Sequence, residues 1–186
     1  QFEKALELDP KHINSLLNLG SLLRKSGNFS DALELSKRAR SLEPNNIRVL
    51  NNLGNALVDC NFTNEAILTY KKAISIDPES GLSHWNLSLA LLSIDKTAEG
   101  FAEMQWRWKW DEFPSKRRNL AKPVWSGEDL STKTIFIYPE QGLGDAIQFI
   151  RYSRKLLHMA KQVILEVPRP LARLTNVPNL ATTIIT

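Results

Sequence analysis

Cysteine is nearly missing from this 186-residue chain: Cys60 stands alone, which excludes an internal disulfide and any cysteine-based zinc site. The three histidines, His12, His84 and His158, are scattered and form no sequence-local ligand or catalytic pattern, so neither a metal nor a cofactor is called for. No stretch approaches the roughly 20 continuous apolar residues of a membrane helix, and no basic segment followed by an apolar one opens the chain. A soluble protein without a membrane span is expected, with the cytoplasm as its default compartment. The phosphate-loop signature G-x-x-x-x-G-K-[ST] is absent, and aromatic and basic residues do not interleave in the nucleic-acid-binding manner, so nucleic acid is not an expected partner.

The composition that remains, 42% hydrophobic and 24% charged, is that of a folding chain long enough for one large domain or two small ones. Its charge is uneven. Residues 1–100 carry 11 Lys/Arg against 12 Asp/Glu, whereas residues 101–186 carry 13 against 8. The basic second half suits an anionic ligand, or is a solvated surface rich in lysine and arginine.

Self-comparison shows an internal repeat. Pro10, Pro44 and Pro78 lie 34 apart, as do Ala5, Ala39 and Ala73, and the triplets beginning at Asn18, Asn52 and Asn86. Ala32 with Ala66, and Leu23 with Leu57 and Leu91, keep the same spacing. In each unit a first helix (13–25, 47–59, 81–93) carries leucines at helical spacing. A second helix (29–41, 63–75, 97–110) opens at Ser30, Thr63 or Thr97, residue types that cap helices, and the prolines end each unit. Gly20 and Gly54 are expected to let a neighbouring helix approach closely. No single unit buries its own apolar face, so units must stack.

The 34-residue period and these positions resemble the tetratricopeptide repeat over residues 1–110, with a partial first repeat and then repeats starting near 13, 47 and 81. The resemblance implies a right-handed α-helical solenoid whose first helices form a concave wall. The chain starts in mid-unit without an initiator methionine, which leads one to expect a piece of a longer array. Asn14, Asn18, Ser21 and Lys25, then Arg48, Asn52, Asn55 and Asp59, then Asn86, fall on one face by three- and four-residue steps. Amide side chains repeated once per unit can donate to and accept from an extended peptide backbone. Asn18, Asn52 and Asn86 resemble the asparagine ladder of protein O-linked N-acetylglucosamine transferases, which implies a protein or peptide partner in the groove. The bland alternative is an exposed polar helix face. Cys60, at the end of a first helix, is expected to be structural.

All five tryptophans, Trp85, Trp106, Trp108, Trp110 and Trp125, lie between 85 and 125. On a continuing helix Trp106 and Trp110 share a face and Trp108 does not, which suits a segment buried on two sides. A cation-π surface for a sugar or base is the alternative. Residues 111–133 contain a Pro-, Ser- and charge-rich stretch that reads as an extended linker.

Residues 134–186 read as strand (134–138), helix (144–158), strand (163–167), short helix (169–177) and strand (182–186), with Ala146, Ile147, Ile150 and Leu157 inward. This is part of a doubly wound parallel sheet. The loop "EQGLGD" lies between the first strand and the first helix of that unit, where such sheets bind ligands. The dinucleotide fingerprint is incomplete, because its third glycine place holds Ile147, although Glu166 stands about where a ribose-binding acid is expected, roughly 20 residues on.

"EQGLGDAIQFIRY", with "EMQWRWKW" and "PVWSG" upstream, resembles bacterial proteins in which tetratricopeptide repeats precede a heptosyltransferase-like domain, the N-terminal half of a GT-B glycosyltransferase. That resemblance implies a truncated Rossmann-like domain with Asp145 as general base toward an acceptor hydroxyl, and Glu140, Gln141, Gly142, Gly144 and Gln148 as the substrate or phosphate loop. Gln148 departs from the histidine usual in that family. A nucleotide sugar is implied only for a longer parent that transfers sugar to a protein or cell-surface glycan, with these 186 residues inactive by themselves. Two other readings stay open: Gly142 and Gly144 permit a turn while Asp145 caps a helix, and the whole is a non-catalytic scaffold with an α/β cap. An unpaired edge at 134–138 would also favour a homodimer.

Overall fold

A left-handed residue every 34 positions decides where the helices turn. The computed structural model describes residues 1–115, 117–140, 142–175 and 179–186. In it Gly27 (φ 84°), Asn61 (φ 65°) and Asp95 (φ 60°) end the first helices. The next amide in each case reaches back five residues: Asn28 N to Leu23 O at 2.8 Å, Phe62 N to Leu57 O at 2.8 Å and Lys96 N to Leu91 O at 3.0 Å. This satisfies carbonyls left open at a helix C-terminus and reverses the chain within a few residues.

The helices so separated are α1 (Phe2–Leu8), α2 (Ile13–Lys25), α3 (Phe29–Leu42), α4 (Ile47–Asp59), α5 (Thr63–Ile76), α6 (Gly81–Leu92) and α7 (Thr97–Met104). Ser30, Thr63 and Thr97 do not cap the second helices. They lie in the first turn, and the cap positions Asn28, Phe62 and Lys96 make no side-chain cap bond. The left-handed turn fixes the start of these helices without a hydroxyl. Asn46 is a true cap, its Oδ1 accepting from Arg48 N at 2.9 Å and Val49 N at 3.3 Å. The last second helix is also shorter than its sequence suggests: the α-helix stops at Met104, and Gln105–Lys109 is a 3-10 helix.

Residues 1–114 form one unit. Leu33, Leu53, Leu57, Ile67, Tyr70, Leu87 and Leu91 make its main buried cluster, drawn from four successive helices, and Leu16, Leu17, Ala39 and Val49 make a second. Because each cluster takes side chains from neighbouring units, stacking supplies the core that one hairpin lacks. Truncating one of these leucines to alanine typically costs about 2–5 kcal/mol.

Residues 115–186 form the second unit. Its strands β1 (Thr134–Ile137), β2 (Gln162–Glu166) and β3 (Thr183–Ile185) lie in the order β1-β2-β3, all parallel. Ile135 pairs with Val163, and Leu165 with Ile184. The segment expected as one helix is broken into α8 (Leu143–Phe149), a 3-10 turn Ile150–Tyr152 and α9 (Ser153–Leu157). Ser153 accounts for part of the bend: buried there, its Oγ lies 2.7 Å from Ile150 O and 2.5 Å from Leu180 O. Ala146 and Ile150 pack on the cluster of Leu165, Val167, Leu171 and Leu180. Ile147, expected inward, is 52% exposed: α8 ends at Phe149, and it is Ala146 and Ile150, four residues apart, that face the cluster. Of the expected helix at 169–177, residues 176–177 lie outside the described residues, and the described part holds a 3-10 turn, Arg169–Leu171. The small parallel sheet is therefore present, without the full helical layer that a doubly wound domain carries.

Candidate functional site

The polar side chains expected on the first-helix face do two different jobs. Asn52 accepts from Ser21 Oγ at 3.1 Å through Oδ1 and donates through Nδ2 to Arg48 O at 2.9 Å, so both halves of its amide are engaged. Asn86 donates to Asn51 Oδ1 at 3.1 Å, and Asn51 in turn donates to Ser83 Oγ at 2.8 Å. Arg24 pairs with Asp59, and Arg48 Nη1 lies 3.4 Å from Asn14 Oδ1. Apart from the Asn52–Arg48 bond, which lies within α4, each of these contacts joins one first helix to the next. Asn55 accepts from the Tyr70 hydroxyl at 2.7 Å inside its own repeat. Burial pushes the Tyr70 phenol well above its ordinary range, so it remains a donor.

Asn18 and Lys25 are exposed, and neither makes a hydrogen bond or ion pair among the described residues. The first-helix face therefore consists of helices fastened to one another by polar cross-links, with free polar groups standing beside them. Sequence spacing placed Ser21, Asn52 and Asp59 on that face. It did not reveal Arg24 and Asn51, whose partners lie 35 residues away on the next unit.

Three of the five tryptophans gather around Phe113, which is 8% exposed. Trp85, Trp108 and Trp110 lie with ring centroids 5.1, 5.6 and 6.0 Å from it. Trp106 is stacked on His84 at 4.2 Å and 6°, while Lys109 Nζ lies 4.3 Å from the same centroid. Two groups that close cannot share a face, so neither face of Trp106 is open. The pairing of positions 106 and 109 follows from the 3-10 turn, in which residues three apart eclipse. His84, unremarkable in the sequence, is buried with Nδ1 on the Glu103 carboxylate and Nε2 3.0 Å from Pro78 O. Cys60 packs against the main cluster, with Sγ 3.5 Å from Phe29 O.

In the second unit Gly142 precedes α8, and Gly144 lies in its first turn. A β-carbon on either would meet nothing within 4 Å, and neither has a positive φ. Packing and turn geometry therefore do not require glycine at these two places. Asp145 and Gln148 are exposed on α8, and Asp145 has no bonded partner among the described residues. Glu140 O accepts from Ser115 Oγ at 2.8 Å. Gln141 lies outside the described residues. Glu166 is held by Arg118 in a two-pronged ion pair, 2.6 Å on each arm, and that guanidinium also lies 4.7 Å over the Tyr138 ring. The Arg118 hydrogen bonds hold the Glu166 carboxyl below the usual carboxylate range. Among the described residues no group of His, Cys, Asp and Glu could hold a metal, and no helix is long and apolar enough to cross a membrane.

The family described as TPR repeat matches residues 54–94, and that described as tetratricopeptide repeat matches residues 1–34. The helical unit carries tetratricopeptide repeats. Both family matches lie within it. Solved structures with the same helical fold include a crystal structure of MamA, 23% identical with a TM-score of 0.51 over 56% of this chain and 61% of that one. MamA from position 41 to its end, from Desulfovibrio magneticus RS-1, is 26% identical with a TM-score of 0.52 over 60% of this chain and 65% of that one. A double mutant titled MamA RS-1 ArsTM is also 26% identical, at a TM-score of 0.51. The chain spans less than two thirds of the length of these structures. No curated protein matches it significantly.

Proposed function

We propose that the tetratricopeptide unit is a protein-interaction module that holds an extended peptide along its first helices. The supporting observation is the division of labour on that face. Ser21–Asn52, Arg24–Asp59 and Asn86–Asn51 tie consecutive first helices together, while Asn18 and Lys25 stand exposed and unbonded beside them. Helices fixed to one another in this way hold their backbones in register before a partner arrives, which lowers the ordering cost of binding. Asn18 supplies a donor and an acceptor to a peptide backbone, and Lys25 supplies a charge for an acidic side chain or terminus. The test is selection of linear peptides from a displayed library against the 186-residue chain, followed by titration of Asn18→Ala and Lys25→Ala. Weakening by about fivefold or more, roughly 1 kcal/mol, is expected with unchanged thermal stability. Unchanged affinity in both variants removes the proposal.

A second reading concerns a longer parent. It holds that the α/β unit begins a GT-B-type sugar transferase with Asp145 as general base, and that the repeats dock its acceptor. Two glycines that the fold does not need, Gly142 and Gly144, beside an exposed and unbonded carboxylate on Asp145, favour close approach by a ligand. On this reading the present chain transfers no sugar, and the parent loses transfer on Asp145→Asn while still binding its acceptor. A parent whose transfer persists in that variant leaves the α/β unit as a structural cap. Light scattering over a range of concentrations tests the homodimer through the free edge of β1.

A further inference from the structure

A groove of about 280 Å³ opens between the second helices α3 and α5, floored by leucines of α4 such as Leu57. It shares no residue with the first-helix face. Lys37 and Arg40 line it from α3, and Lys72 from α5, against one carboxylate, Glu65. Lys37 is shared with Glu34 at 2.9 Å, but Arg40 and Lys72 form no ion pair among the described residues. Beside these cations stands Leu68, 67% exposed. The position 34 residues before it in the repeat is Glu34, so the fold accepts a charge there and does not require an apolar side chain.

We propose that this groove is a second docking surface, and that its occupant is an acidic amphipathic segment of a partner protein. One leucine-sized side chain of the segment covers Leu68 above the leucine floor, and its carboxylates meet Arg40 and Lys72. Charge complementarity selects an acidic partner, since Arg40 and Lys72 have no ion-pair partner among the described residues. The exposed Leu68 selects a partner that also brings an apolar group, because covering it removes apolar surface from water, which a plain polyanion cannot do. A segment bound here leaves the first-helix face free, so the repeats would hold two partners at once.

The test uses the full 186-residue chain and a fluorescein-labelled helical peptide of about 15 residues, with leucines on one face and glutamates elsewhere. Two controls accompany it: the same peptide with every glutamate replaced by glutamine, and polyglutamate of equal length. Anisotropy should give a Kd on the order of 100 μM or tighter for the acidic peptide, with both controls weaker by about tenfold. Backbone amide shifts in the labelled chain should move on α3 and α5. Arg40→Glu combined with Lys72→Glu should weaken binding about tenfold or more, Leu68→Ser about threefold, and Asn18→Ala not at all. All four positions are exposed or rim residues, and a melt by circular dichroism checks each variant; if the double variant unfolds, Arg40→Ala and the shift map decide. Equal binding of either control, shifts confined to the first helices, or no binding up to about 1 mM overturns the proposal. Unchanged first-helix binding in both Asn18→Ala and Lys25→Ala, with this groove binding as expected, would count against the proposed function alone.

Discussion

Tyr70 occupies the space that a β-carbon on residue 54 would need: its Cε1 lies 2.3 Å from that position. Both partners are locked, since Tyr70 is 1% exposed and its hydroxyl is bonded to Asn55 at 2.7 Å. Gly54→Ala should therefore destabilise the repeat unit by about 1–3 kcal/mol, despite the better helix propensity of alanine. Gly20 holds the equivalent place one repeat earlier, but the nearest atom to its built β-carbon is Ala32 O at 3.7 Å. Gly20→Ala should be neutral or stabilising by up to about 1 kcal/mol. Paired denaturant melts compare the two; equal effects would contradict the difference in packing.

The left-handed turn residues give a second pair of variants. Asn61 and Asp95 adopt φ 65° and 60°, where Gly27 adopts 84°. A side chain in this region carries a cost that glycine avoids. Asp95→Gly and Asn61→Gly should each raise stability by a few tenths to about 1 kcal/mol, the smaller gain falling to asparagine, which tolerates the conformation better. Thermal denaturation reads the shift.

Arg24 and Asp59 link α2 to α4 with side chains about one quarter exposed, at 26% and 23%. A double-mutant cycle with Arg24→Ala and Asp59→Ala should give a coupling of about 0.5–1 kcal/mol that shrinks in high salt. Asn52→Ala should also lower stability, because it removes the bond to Ser21, whereas Asn18→Ala should not.

Glu166 makes the second unit sensitive to acid. Its folded pKa lies below its unfolded value because Arg118 bonds to the carboxylate. That contribution is complete above the usual carboxylate range and is lost as pH falls through the depressed value. Arg118 is 40% exposed, so the contribution stays within about 1 kcal/mol. Melts of wild type and Glu166→Gln should differ at about pH 6 and converge toward about pH 3.

Gly144 lies on α8 with open space around it, so Gly144→Ala should raise stability by about 0.5–1 kcal/mol. If the loop binds a ligand in a longer parent, the same variant should lower that parent's activity while raising its melting temperature. Opposite signs in the two assays identify a glycine kept for close approach.

The helix pairs were legible because stacking repeats leaves a period, and leucines every three or four residues mark the faces that must be buried. What the period hid was the turn chemistry. Gly27, Asn61 and Asp95 keep the 34-residue spacing but differ in type, so a shared backbone conformation went unseen behind three different side chains. The ladder was half legible: spacing placed Asn18, Asn52 and Asn86 together, yet only coordinates separate the bonded amides from the free one. Beyond Met104 periodicity failed, because "QWRWK" forms a 3-10 turn whose eclipsed contacts no α-helical wheel predicts. In the second unit the strands were read to within a residue or two, whereas the break after α8 depends on a buried Ser153 reaching Leu180, a contact across 27 positions.

Gly81 meets the backbone of Lys109 and Trp110 so closely that a β-carbon there would lie 2.5 Å from Trp110 N. The segment that follows α7 thus folds back onto the start of α6, where a fourth hairpin would have had to nest. Repeat arrays lengthen by adding like to like, and here that growth meets a plug of indole and main chain. At this end the stack is jammed: a further hairpin nesting on α6 would first have to evict Lys109 and Trp110.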